Sequence, residues 1–223
     1  MLLIPRAEPL IIRPEKADSA VIFLHGLTTS GLHFESVARY FAQHLPNTMF
    51  MLPHAPIRPV TWAKGNVSGW YDLRGDNFLE NEDHQGILSA VTYVQSLIDD
   101  CINEGIESKR IILGGFSQGC AISLLAGTQY PQPLAGIFGL SGYLPLAESW
   151  QSHTQNTHTP IFLAHGEEDN LITLAQIEQG VAKLAQERSL HFQRYPIGHT
   201  LSNAEIADLK QWLVAQLAFC SLK

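Results

Sequence analysis

The sequence predicts a three-layer α/β/α sandwich on a mostly parallel central sheet, and three observations predict it. Short runs of residues that are apolar on both faces recur along the chain, the pattern of central strands covered on either side. Helix-length segments with an apolar stripe lie between them. The alternation runs through the chain with no internal repeat, low-complexity tract or linker, so residues 1–223 read as a single domain without a separate cap domain.

The elements follow in order. PLIIRP at 9–14 reads as an edge strand, because its flanking prolines cannot donate to a sheet ladder. VIFLH at 21–25, TMFMLP at 48–53, RIILGG at 110–115, AGIFGLS at 135–141, PIFLAH at 160–165 and LHFQRY at 190–195 read as the remaining strands. Residues 82–104 place Ile87, Val91, Val94, Ile98 and Ile102 on one helical stripe, and CAISLLAG at 120–127 reads as a helix too. Residues 203–219 place Ile206, Leu209, Leu213 and Leu217 on another stripe, after a cap at Ser202 or Asn203. The segment 54–80 breaks the rhythm as a long loop with Trp62, Trp70 and Tyr71; loops of that length in a compact domain are usually functional.

Composition narrows the function classes. The chain is 45% hydrophobic and 16% charged with a formal charge of −7, an ordinary globular balance. No basic cluster exceeds two adjacent residues, which argues against a nucleic-acid partner. The three cysteines, Cys101, Cys120 and Cys220, form no C-x-x-C pair, so neither a disulfide framework nor a metal knuckle is expected. Pro5 interrupts the N-terminal apolar stretch before a signal-peptide core develops. No apolar run nears the roughly 20 residues that span a bilayer, so no transmembrane segment and a cytoplasmic location are expected.

The chemistry begins at Gly115-Phe-Ser-Gln-Gly119, where a strand ends on Ser117 and a helix begins. A sharp strand-to-helix turn forces the serine into a strained backbone and brings the residues two before and two after it together. Glycine at both removes the colliding Cβ atoms. The bare pattern arises by chance in about one chain in ten of this length, so its context must carry it. A nucleophilic serine needs a base, and ten histidines compete. His199, in the loop between the strand 190–195 and the last helix, has the expected order and setting; His165 and His191 sit in strands, and His153 and His158 in a polar stretch. Among Glu167, Glu168 and Asp169, the last precedes apolar Leu171-Ile172 and can turn inward while the glutamates face water. The amide of Gln118, after the serine, and that of Leu27, after the early strand and Gly26, are candidate oxyanion donors. Gly26-LTTS-Gly31 has phosphate-loop spacing but lacks the following Lys, and no metal-ligand motif is present.

Taken together, LHGLTTSG, LPHAPIRPVT, GWYDL, IILGGFSQG, SGYLPL, AHGEED and GHTLS resemble the acyl-protein thioesterase and carboxylesterase/phospholipase family of α/β-hydrolases, over residues 20 to 215. The resemblance implies the α/β-hydrolase fold, catalytic Ser117, Asp169 and His199, and oxyanion donors Leu27 and Gln118. It implies that Trp70, Leu73 and Leu171 shape an apolar acyl groove. It also implies cleavage of ester or thioester bonds through an acyl-enzyme with no metal or organic cofactor. The substrates expected are small esters, lysophospholipids or acylated proteins; an exposed aromatic loop could also support a homodimer. An acyl-ligand or partner-binding protein without turnover is the alternative. Three departures stand out: Thr28 and Thr29 replace a glycine and an acid of the common motif, Cys120 replaces a glycine, and Thr173 replaces a proline.

Overall fold

In a computed structural model, described over residues 7–219, the apolar runs align as one seven-stranded sheet. In chain order its strands are β1 (Leu10–Ile12), β2 (Ser19–Leu24), β3 (Thr48–Leu52), β6 (Ile111–Phe116), β7 (Gly136–Leu140), β8 (Ile161–Gly166) and β9 (Leu190–Tyr195). Their spatial order is β1-β3-β2-β6-β7-β8-β9. All neighbours pair in parallel except β1, which lies antiparallel at the edge with Leu10 opposite Leu52. Two prolines therefore flank an edge strand. Strands β2, β3, β7 and β8 are buried at every residue, which is why they read as continuous apolar runs.

The period of two along each strand sorts the core into two layers. Ile22, Leu24, Leu113 and Leu163 meet α2 (His84–Asn103), α3 (Gln118–Thr128) and α4 (Leu174–Glu187) on one face. Val21, Phe23, Phe138 and Phe162 meet α1 (Glu35–Ala42) and α5 (Asn203–Phe219) on the other. Every residue of α3 is buried, so this helix carries no polar face and its sequence shows no amphipathic period. Each large side chain in these layers contributes roughly 1.5–3 kcal/mol of burial. Thr173 stands at the N-cap of α4 in a reciprocal capping box with Gln176, a role that accounts for the loss of proline there. Ser202 caps α5: its hydroxyl accepts from Glu205 N, and Glu205 accepts from Ser202 N. Cys101 and Cys120 are free and buried, and Cys220 lies outside the described residues. No described helix is long and apolar enough to cross a membrane.

The irregular segment 54–80 holds an antiparallel hairpin, β4 (Ile57–Val60) against β5 (Gly65–Ser68), where only loop was expected. Pro59 and the exposed Ile57 hide it from any apolar count. Asp83 anchors the segment. Its carboxylate caps α2 at Gly86 N, accepts from Asp72 N at 3.0 Å, and pairs with Arg74 at 3.0 Å and Arg58 at 3.5 Å. The side chain of Gln118 fastens the same segment to α3, accepting from Trp70 N and donating to Tyr71 O, both at 2.8 Å.

His25, directly after β2, ties two loops together. Ala55 N donates to its Nε2 at 3.0 Å, which leaves Nδ1–H to donate to Gly26 O at 2.7 Å. The Trp70 indole donates to His25 O at 2.8 Å. The ring is therefore a buried neutral imidazole. Burial pushes its pKa down to about 4; the Gly26 carbonyl opposes this, and His54 and His33 add to it.

Two outcomes follow. Asp83→Ala removes a cap and leaves buried donors unpaired, and should lower unfolding free energy by about 2–3 kcal/mol in urea titration; a loss below about 0.5 kcal/mol would contradict this role. For His25, the unfolded ring binds a proton below its ordinary 6.5 while the folded ring stays neutral to about 4. The stability it contributes is thus complete above 6.5 and is lost on acidification, by roughly 3 kcal/mol at about pH 4. An NMR titration of the His25 ring should show a midpoint near the lower value, and a midpoint near the ordinary one would refute the assignment.

Candidate active site

Ser117 sits at the turn between β6 and α3 with φ 55° and ψ −118°, a left-handed backbone that a non-glycine residue rarely holds. The surrounding packing enforces it. A Cβ on Gly115 would lie 2.4 Å from the backbone of Gly119, and one on Gly119 would lie 2.4 Å from Leu24 O. Ser117 N donates to Leu140 O at 2.8 Å, fixing the turn to the end of β7.

The three side chains singled out in the sequence, though far apart in the chain, meet at this turn. Ser117 Oγ lies 2.9 Å from His199 Nε2, and His199 Nδ1 lies 2.7 Å from Asp169 Oδ2. Asp169 is buried, and its other oxygen accepts from the amides of Leu171 and Ile172 at 2.9 Å each. Burial alone would raise its carboxyl pKa. The His199 hydrogen bond, then the Ile172 and Leu171 amides, outweigh it and hold the group below the ordinary carboxylate value. Nδ1–H of His199 therefore donates to a carboxylate, leaving Nε2 as the acceptor that faces the serine hydroxyl. Glu167 and Glu168 point to solvent.

The two loops that carry Asp169 and His199 are bonded to each other. Glu168 N donates to Ile197 O at 3.0 Å, and a Cβ on Gly166 would sit 2.3 Å from that carbonyl. The glycine of AHGEED is what lets the loops cross so closely. His165 is buried beside them, and its Nε2 donates to Ile172 O at 2.7 Å. His153 and His158 are exposed, and His191 stacks on Phe162 at 5.2 Å.

A cavity of about 210 Å³ opens beside Ser117. Gly26, Leu27, Gln118 and His199 line it next to Ser117. Gln118 is the first residue of α3, so its amide has no intrahelical acceptor. The amide of Thr28 is taken by Ser68 O at 2.8 Å, and Thr29 Oγ1 donates to Gly26 O at 2.9 Å, which leaves Leu27 at the bend between them. Leu73 and Leu171 line the apolar part. Trp70 does not. It lies behind the wall, its indole turned to His25 O and its ring stacked on Tyr93, which corrects its expected place in the groove. Phe78 and Tyr143 line the cavity and were not named, and Trp62, Tyr71 and Ile172 line it too but were not assigned to the groove. Tyr71 adjoins Trp70 in GWYDL, but nothing in the spacing says which of the two turns toward the cavity; Leu171 and Ile172 both do.

The comparisons with known proteins agree with this fold. The chain is 36% identical over 217 residues to acyl-protein thioesterase 1 of Yarrowia lipolytica, covering 92% of this chain and 96% of that protein. It is 41% identical over 167 residues to acyl-protein thioesterase 1 of Schizosaccharomyces pombe, covering 73% and 74% respectively. Among solved structures, Arabidopsis thaliana SOBER1 superposes with a TM-score of 0.82 at 29% identity, over 89% of this chain and 99% of that one. Zea mays acyl-protein thioesterase 2 follows at a TM-score of 0.78 and 25% identity, over 94% and 99%. The phospholipase/carboxylesterase family model matches residues 7–217, nearly everything described, and the chain belongs to that family of α/β-hydrolase-fold proteins.

Proposed function

We propose that this protein hydrolyses carboxylic ester or thioester bonds by two-step acyl transfer on Ser117. The observation that carries the reading is the unbroken hydrogen-bonded line from Ser117 through His199 to buried Asp169 at the mouth of an apolar cavity. Relatives named acyl-protein thioesterase, similar over most of the chain, support it.

Neutral His199 takes the hydroxyl proton at Nε2 as Ser117 Oγ attacks the carbonyl carbon. Asp169 holds the ring in the Nδ1–H tautomer and stabilises its positive charge. The Leu27 and Gln118 amides receive the oxyanion, each donor worth about 3 kcal/mol in the transition state. His199 then protonates the departing alcohol or thiol, and water repeats the attack on the acyl-enzyme. Side chains and backbone amides supply every step, so no metal or organic cofactor enters. Small esters, lysophospholipids and acylated proteins all offer the required carbonyl.

Stopped-flow mixing with p-nitrophenyl acetate should release a burst of nitrophenolate equal to the enzyme present. Ser117→Ala should abolish the burst and lower turnover at least about ten-thousand-fold, and Asp169→Asn should lower it by a comparable order. Turnover that survives in Ser117→Ala would remove the nucleophile; binding without any turnover in the native chain would make this a ligand-binding member of the fold.

A further inference from the structure

The cavity beside Ser117 is small for its setting. At about 210 Å³ it falls below the roughly 300–1,000 Å³ usual for small-molecule sites. A methylene takes about the room of a water molecule in the liquid, ~30 Å³, so the space holds about seven chain carbons. A hexadecanoyl chain needs more than twice that.

Part of the cavity wall is made of side chains that are themselves fixed. Tyr71 and Tyr143 are buried, with their hydroxyls 2.8 Å apart, and Tyr143 OH reaches Phe78 O at 3.5 Å. Phe78 is buried too, its ring edge-on to Trp62 at 5.9 Å. Gln176 Nε2 donates to Asn77 Oδ1 at 3.2 Å, tying the residue before Phe78 to α4. Trp62 and Leu171, each more than a third exposed, form the open rim of the cavity. Leu79 and Leu144, which follow Phe78 and Tyr143 in the chain, line a second cavity together with Ile177.

We infer that this site takes short and medium acyl groups, up to about eight carbons, and that Phe78 with the Tyr71–Tyr143 pair sets the limit. The inference rests on the hydrolase reading above and narrows its substrate class. A longer chain would have to break the phenol pair, displace Phe78, or leave its distal carbons in water at the rim, and each reduces the binding available to the transition state.

The test is kcat/KM for p-nitrophenyl esters from acetyl to hexadecanoyl, with matched thioesters, each below its aggregation concentration. Native enzyme should peak between butanoyl and octanoyl and fall at least about ten-fold by hexadecanoyl. Phe78→Ala removes a ring from the cavity wall and should raise the hexadecanoyl-to-hexanoyl ratio at least about ten-fold. Where that variant does not fold, Leu73→Ala opens the same cavity from another side and should move the ratio in the same direction. A native optimum at hexadecanoyl, or a folded Phe78→Ala enzyme with an unchanged profile, would overturn the inference while leaving the hydrolase reading intact. Hydrolysis at no chain length would overturn that reading, and the inference with it.

Discussion

Everything in the site depends on one backbone conformation, the left-handed turn at Ser117. Such a conformation costs on the order of 1–3 kcal/mol for a residue with a side chain, and it persists only where the surroundings allow no alternative. Here β6 and α3 are both buried and cannot shift, and the contact of Gly119 with the end of β2 sets how near α3 approaches. The turn therefore places the hydroxyl and the first amides of α3 on the same side of the sheet's carboxyl edge. Replacing either glycine moves α3 before it changes any chemistry.

Around that fixed point the site is assembled from loops that are bonded to one another as well as within themselves. The acid loop holds the histidine loop through Glu168 and Ile197, and the loop after β2 is held by Ser68 of the hairpin. Gln118 reaches from the helix to Trp70 and Tyr71, and Trp70 reaches on to His25. Trp70 thus serves the cavity from behind. These ties reduce the rearrangement left for substrate binding, which is the condition under which fixed amide dipoles are most effective.

The sequence exposed those parts whose residue types are forced by local geometry. Strands buried on both faces must be apolar throughout, so β2, β3, β7 and β8 were legible with ends within about two residues. Ser117 was legible because only glycine fits two positions away on either side, and Asp169 because an inward acid beside two glutamates is followed by apolar residues. The hairpin β4–β5 was not, since Ile57-Arg-Pro-Val has neither an apolar run nor a clean alternation and pairs in a sheet of its own. Cavity residues were legible only in part. Trp70 and Tyr71 are equally apolar neighbours, and the choice between them is made by hydrogen bonds to His25 O and Tyr143 that no local pattern encodes.

The departures at Thr28 and Thr29 belong to the same logic. Thr28 is β-branched yet adopts φ 65°, a conformation that glycine holds without strain. Its amide is fixed on Ser68 O, and the neighbouring Thr29 hydroxyl on Gly26 O, so the loop is constrained from both sides. A glycine here would leave the loop more conformations to lose on folding, whereas a threonine restricts it at the cost of local strain. Of the six described non-glycine residues with positive φ, Thr28 and Ser117 both line the cavity. For the acyl transfer proposed above this is a consistent arrangement. A loop that relaxed in the free enzyme would have to be reordered in every transition state, and one held strained beforehand would not.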